Sequence, residues 1–308
     1  MRAATVSRMA ALVLVALVVA GCEAGRAGRA PPEDPRHPTV TVASFDFPES
    51  EILAEIYARA LRRHGYPVEV IAQLGSREIV EPALEQGKVD LVPEYLGTAL
   101  DFLNGGERLA TADAGLSYRL LQRAFAVRGV TVLDFSQVED RNGYVVTAAT
   151  ARERRLRRLS DLLPTAGRLT FGGPPECPAR PLCLKGLQDL YGLRFGSFEP
   201  MTSRAVTAAA LVAGEIDVGM IETTDGTLAV NDLVQLEDDR RLQPAENIVP
   251  AIRGPVLAAY GAPLASVLNG VSRSLTVREL IEMNRSVVMD QEQAADVAAA
   301  WLRDHPRL

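Results

Sequence analysis

The chain has 308 residues, 47% of them apolar, and a formal net charge of -6 at neutral pH. Once a processed leader is set aside, that length suits two domains of ordinary size with substantial cores. The negative balance argues against nucleic acid as a partner, and neither a Walker-type phosphate loop nor a His pair at metal-ligand spacing occurs, so no metal and no cofactor is expected.

The N-terminus begins with Arg2 and Arg8, then an apolar run from Met9 to Ala20 that is short for a membrane span. It ends in Val19-Ala20-Gly21-Cys22. Small residues directly before a Cys resemble a bacterial lipoprotein signal. The reading taken is removal of residues 1–21 and a lipid on Cys22; an ordinary secretory signal with an incidental Cys is the alternative. Residues 22–38 are rich in Gly, Ala, Arg and Pro without periodicity and read as a flexible tether.

The body opens with a strand at Thr39–Ser44 and the loop Phe45-Asp46-Phe47-Pro48-Glu49-Ser50. An amphipathic helix follows over Ile52–Arg63, with Ile52, Ile56, Tyr57 and Ala60 on one face. A strand is predicted at Val68–Ile71, then a helix capped by Ser76 and running to Gln86. Ala83–Thr98 organises the rest: a helix end, Gly87 as the left-handed stop, a strand beginning near Asp90, then a loop with Tyr95 at its tip. Asp90 and Glu94 are expected to brace the strand.

Further along, a helix over 112–128, a strand at 130–133 and a break at Asp140–Tyr144 mark the first crossing between lobes. Ala210–Thr223 then repeats the organising stretch, with Gly214 for Gly87, Asp217 for Asp90 and Glu222 for Tyr95. A unit used twice suggests two similar lobes whose loops face one cleft. A strand is predicted at Leu233–Leu236 and the return crossing at Ile248–Arg253. A mostly helical segment over 264–301 should pack back on the first lobe. Lobe 1 is thus expected to comprise 39–140 and 250–308, and lobe 2 to comprise 141–249. Cys177 and Cys183 lie close together in a Pro-rich loop and are expected to pair in an exported protein.

Several blocks, in order, resemble the substrate-binding proteins of ABC importers for glycine betaine, choline and carnitine. They are Val42–Glu49, Gly87–Thr98, Asn142-Gly143-Tyr144, Pro175-Glu176 with Arg180, Tyr191-Gly192-Leu193, Thr224-Asp225-Gly226 and Leu236–Asp239. The resemblance implies a type II periplasmic-binding-protein fold: two α/β lobes, a two-segment hinge, and a ligand in the cleft between them. It also implies an aromatic box, because a quaternary ammonium has no N–H and is attracted to π-faces. Tyr95 and Tyr144 stand at box positions, Arg180 at the position of a carboxylate-binding arginine, and Thr98 as a polar helper. Phe45 stands where relatives carry Lys, and Glu222 and Glu246 where they usually carry Tyr. Those departures favour a positive ligand, unless Glu222 and Arg180 neutralise each other.

The expected function is capture of a small cationic or zwitterionic solute and its delivery to an ABC permease. The expected form is a monomer held by lipid on the outer face of the cytoplasmic membrane. A sensor or adaptor on the same fold is the alternative. A tethered hydrolase would need a Ser or Thr nucleophile with a His base. The three histidines, His37, His64 and His305, lie away from the predicted cleft loops, so no enzyme is expected.

Overall fold

The computed structural model describes residues 38–175 and 177–308. The expected signal, almost all of the tether, Cys22 and Glu176 lie outside the described residues.

β1 (Val40–Phe45) leads into α1 (Pro48–Arg63). Pro48 starts that helix where a missing N–H costs nothing, with Glu49 and Glu51 in its first turn and Arg62 and Arg63 in its last. Its inward stripe of Ile52, Leu53, Ile56, Tyr57, Ala60 and Leu61 is fully buried. Next come β2 (Val68–Gly75), α2 (Arg77–Glu85), β3 (Leu91–Tyr95), α3 (Leu96–Leu103), α4 (Ala114–Ala126) and β4 (Val130–Val132). The chain then crosses to β5 (Asn142–Thr147), α5 (Ala148–Arg154), β6 (Thr170–Gly173) and α6 (Leu184–Gly186), the last continuing as a π-helical turn over Leu187–Tyr191. β7 (Ser197–Pro200), α7 (Arg204–Ala213), β8 (Val218–Glu222), α8 (Thr227–Val230) and β9 (Leu233–Leu236) complete this part. β10 (Ile248–Arg253) and the helices α9 (Gly254–Tyr260), α10 (Ala262–Ser274), α11 (Val277–Val288) and α12 (Ala294–Asp304) finish the chain.

The strands form two five-stranded sheets, β2-β1-β3-β10-β4 and β7-β6-β8-β5-β9. The two have the same plan. Three parallel strands are joined by an antiparallel one, β10 beside β3 and β5 beside β8. The repeat is visible in atomic detail. Gly87 and Gly214 both take φ +73°. Asp90 Oδ2 accepts from Thr41 N at 3.0 Å, and Asp217 Oδ2 accepts from Thr170 N at 2.9 Å. Each Asp thereby ties its strand to the parallel neighbour beside it, β1 for Asp90 and β6 for Asp217.

Three local expectations change. Ile248–Arg253 is not the return crossing but a strand of the first sheet, paired antiparallel with β3 and β4; the return runs over 237–247, and Glu139 bridges Asn247 between the two crossings. Tyr95 is not a loop tip, since α3 begins at the next residue. Ser76 stands at the N-cap of α2, but its hydroxyl bonds Glu78 at 2.6 Å instead of a backbone N–H. In the second lobe, Cys177 and Cys183 are joined as a disulfide, with Cα atoms 5.3 Å apart.

Candidate functional site

The ends of β3 and β8, the start of β5 and the two crossings surround a cleft of about 270 Å3. Tyr95, Thr98, Glu222 and Glu246 line it. So do Phe47, Arg77, Asp140, Arg141, Asn142, Leu182 and Gln243, which sequence reasoning did not single out as ligand contacts. A second cavity of about 400 Å3 shares Leu182 and Gln243 with it and carries Arg108 and Arg241.

Tyr95 is 4% exposed and donates its phenolic hydrogen to Glu49 Oε1 at 2.8 Å. Phe47 lies 6.0 Å from it, ring centre to ring centre. Phe45 is not at the cleft surface. It is buried behind Phe47, stacked at 5.9 Å, and carries the Arg77 guanidinium 4.8 Å over its ring. Arg77 forms a two-pronged ion pair with Glu94 (3.0 and 2.8 Å). That charge holds the Glu94 carboxyl below its ordinary range against burial, while the neighbouring Glu81 is pushed up to about 11 by burial and by Glu94.

Tyr144 requires a correction. Its ring is 1% exposed, packed on Phe171 in the second core. Its hydroxyl donates to Leu182 O at 3.1 Å and accepts from Gln243 Nε2 at 3.0 Å. On β5, Asn142 reaches the cleft, and Tyr144, two residues deeper on the same face, is roofed by Leu182 and Gln243. Arg180 also changes place: it is exposed in the disulfide loop and outside the cleft lining. The cation on Glu222 is instead Arg204, which grips both carboxylate oxygens.

Glu246 is 6% exposed and sits on the return crossing. Its Oε2 accepts from Gly97 N (3.1 Å), Thr98 N (3.1 Å) and Thr98 Oγ1 (3.3 Å), so it caps the N-terminus of α3. Burial outweighs those bonds and pushes its carboxyl up to about 8. Asp140 and Glu49 are also raised, first by burial and then by neighbouring carboxylates. Among the described residues, neither Glu49, Asp140 nor Glu246 has an ion-pair partner within 4.0 Å, whereas Arg77 is matched by Glu94, and Arg141 by Glu139 at 3.2 Å. Acid without an ion-pair partner therefore collects in the cleft and just behind it. Among the described residues, no group of three His, Cys, Asp or Glu is placed to hold a metal ion.

Sequence signals for the missed residues were uneven. Glu49 and Phe47 lie in a quoted block, yet an acid after Pro48 reads first as a helix-start residue. Asp140 falls in a polar break of the chain, which does not mark it as a cleft residue. Arg77 and Arg204 lie at helix starts, where a cation is not expected to be structural, and only the folded chain shows their carboxylate partners.

Two similar α/β lobes linked by two crossings, with a polar cleft at the crossings, define a type II periplasmic binding protein. Solved structures of that class overlay closely. "Crystal structure of glycine betaine/carnitine/choline ABC transporter" gives a TM-score of 0.80 at 23% identity, over 87% of this chain and 97% of that one. Apo YehZ from Escherichia coli gives 0.78 at 26%, over 87% and 98%. By sequence, a glycine-betaine-binding protein of Pseudomonas aeruginosa is 29% identical, covering 87% of this chain and 88% of that protein. Residues 38–304 match the family model of the substrate binding domain of ABC-type glycine betaine transport systems. The chain belongs to that family, and its function is solute capture for an ABC transporter.

Proposed function

We propose that this chain captures a small organic cation or zwitterion, the betaine, choline and carnitine class included, and hands it to an ABC permease. A lipid on Cys22 would hold the chain at the outer face of the cytoplasmic membrane. The observation that carries the ligand class is the set of carboxyl groups without an ion-pair partner in the cleft and just behind it. Asp140 and Glu246 line the cleft with the rings of Phe47 and Tyr95, and Glu49 sits behind on the Tyr95 hydroxyl. Among the described residues none of the three has an ion-pair partner, the lining cations Arg77 and Arg141 being matched by Glu94 and Glu139. A bound cation would favour the ionised form of these carboxyl groups and pair with it, and the two rings would add about 0.5–2 kcal/mol each. For a zwitterion, Arg141 offers the cationic counterpart, because its pair with Glu139 is about one-third exposed and readily exchanged.

Thermal denaturation of the purified chain against choline, betaine, carnitine, polyamines and anionic amino acids tests this reading. A cation at 100 times its dissociation constant should add about 2.7 kcal/mol of stability. Stabilisation by anionic solutes alone would reject it. Loss of uptake of the same solute on deletion would separate a transport receptor from a sensor. Release of a Cys22→Ser variant from the membrane fraction tests the anchor.

A further inference from the structure

The two crossings bring two carboxylates together on the cleft floor. Asp140 N on the outgoing segment donates to Glu246 O on the return segment at 3.1 Å. Each side chain uses one oxygen inside the protein. Asp140 Oδ1 accepts from Thr224 Oγ1 at 2.8 Å. Glu246 Oε2 takes all three donors from Gly97 and Thr98. Among the described residues, Asp140 Oδ2 and Glu246 Oε1 accept no hydrogen bond, although both residues line the cleft and Glu246 is 6% exposed. Neither oxygen is among the fully buried atoms that lack a partner, so both keep accessible surface where a ligand N–H can reach them.

The aromatic side of the cleft is thin by comparison. Phe47 and Tyr95 are the two rings among its lining residues, and the ring of Tyr144 is covered. A cation without N–H depends on π-faces, while one with N–H can satisfy acceptors directly. Resting on the cation-receptor reading above, we propose that the cleft selects cations bearing at least one N–H, such as ammonium or guanidinium groups, over fully methylated ones. Asp140 Oδ2 and Glu246 Oε1 are the specificity-determining acceptors.

Isothermal titration of the full chain with ethanolamine, N-methylethanolamine, N,N-dimethylethanolamine and choline tests this, since each step of the series replaces one N–H with a methyl group. N,N-dimethylethanolamine, the last member with an N–H, should bind roughly tenfold more tightly than choline. In Glu246→Gln the donors from Gly97 and Thr98 hold the amide oxygen inward. The amide NH2 then replaces the acceptor in the cleft, and the affinity ratio should fall towards one. Asp140→Asn should also reduce the ratio, which keeps the test independent of whether one variant folds. Choline binding as tightly as its dimethyl analogue overturns the selectivity alone. A ratio unchanged in both variants overturns the assignment to these two acceptors. If no member of the series binds, the cation-receptor reading fails together with the inference.

Discussion

Single side chains in this cleft are held by partners distant in sequence. Tyr95 and Glu49 are 46 residues apart, and Glu49 Oε2 accepts from Asn284 Nδ2 at 2.6 Å across 235 residues. Tyr95→Phe removes a donor from a buried carboxyl and should cost about 1–3 kcal/mol in urea unfolding. Arg204→Gln should act on binding more than on stability. Arg204 and Glu222 are each roughly a quarter exposed, so the pair is partly screened. Releasing the Glu222 carboxylate into the cleft should raise cation affinity severalfold at low salt, and titration at two ionic strengths would check it. Tyr95 was legible because it ends a continuously buried strand. Tyr144 was misassigned because its motif fixes the strand but not what lies above it; the roof comes from Leu182 and Gln243, 38 and 99 residues away. Asp140 was illegible for a related reason: a polar break in a chain does not say which way a carboxylate turns.

At the level of elements, the Asp at the start of β3 and its counterpart before β8 brace equivalent strands with unequal support. Asp90 Oδ1 also pairs with Arg253 at 2.8 Å, while Asp217 Oδ1 meets Arg154 only at 3.8 Å. Asp90→Ala should therefore destabilise more than Asp217→Ala, by about 1 kcal/mol or more, as measured by chemical denaturation. The N-terminus of α3 supplies a pH dependence. The Glu246 carboxyl is raised from 4.5 to about 8, so the folded state holds a proton that the unfolded chain gives up earlier. Its contribution to stability is full below the unfolded value and is lost as pH rises through about 8; Glu81, raised to about 11, acts in the same direction. The ligand-free melting temperature should fall between about pH 5 and pH 9, and a saturating cation should flatten the fall. The Gly stops and strand positions of the repeat could be read directly, because a left-handed C-terminal position needs Gly. The start of α3 straight after Tyr95 could not, since its first N–H groups are satisfied by Glu246, about 150 residues later.

For the molecule as a whole, the doubled motif revealed two lobes. The exact re-entry point depended on β10 finding its place between β3 and β4, a long-range pairing that local pattern does not encode. One further contact joins the two sheets' territories. Asn284 on α11 donates to both Glu49 Oε2 and Thr224 O (2.8 Å), and Gly226 lies so close to α11 that an added Cβ would be 2.5 Å from Arg285 N. Asn284→Ala should loosen this contact and enlarge the ligand-free radius of gyration in small-angle scattering, while Gly226→Val should prop the lobes apart and weaken ligand binding. The side-by-side placement of Asp140 and Glu246 has a practical outcome. These acceptors are built into the pivot itself, so occupancy needs no lever to become rotation. A donor and acceptor dye, one on each lobe, should report solute concentration as a change in energy transfer, which would make the chain a scaffold for an optical biosensor.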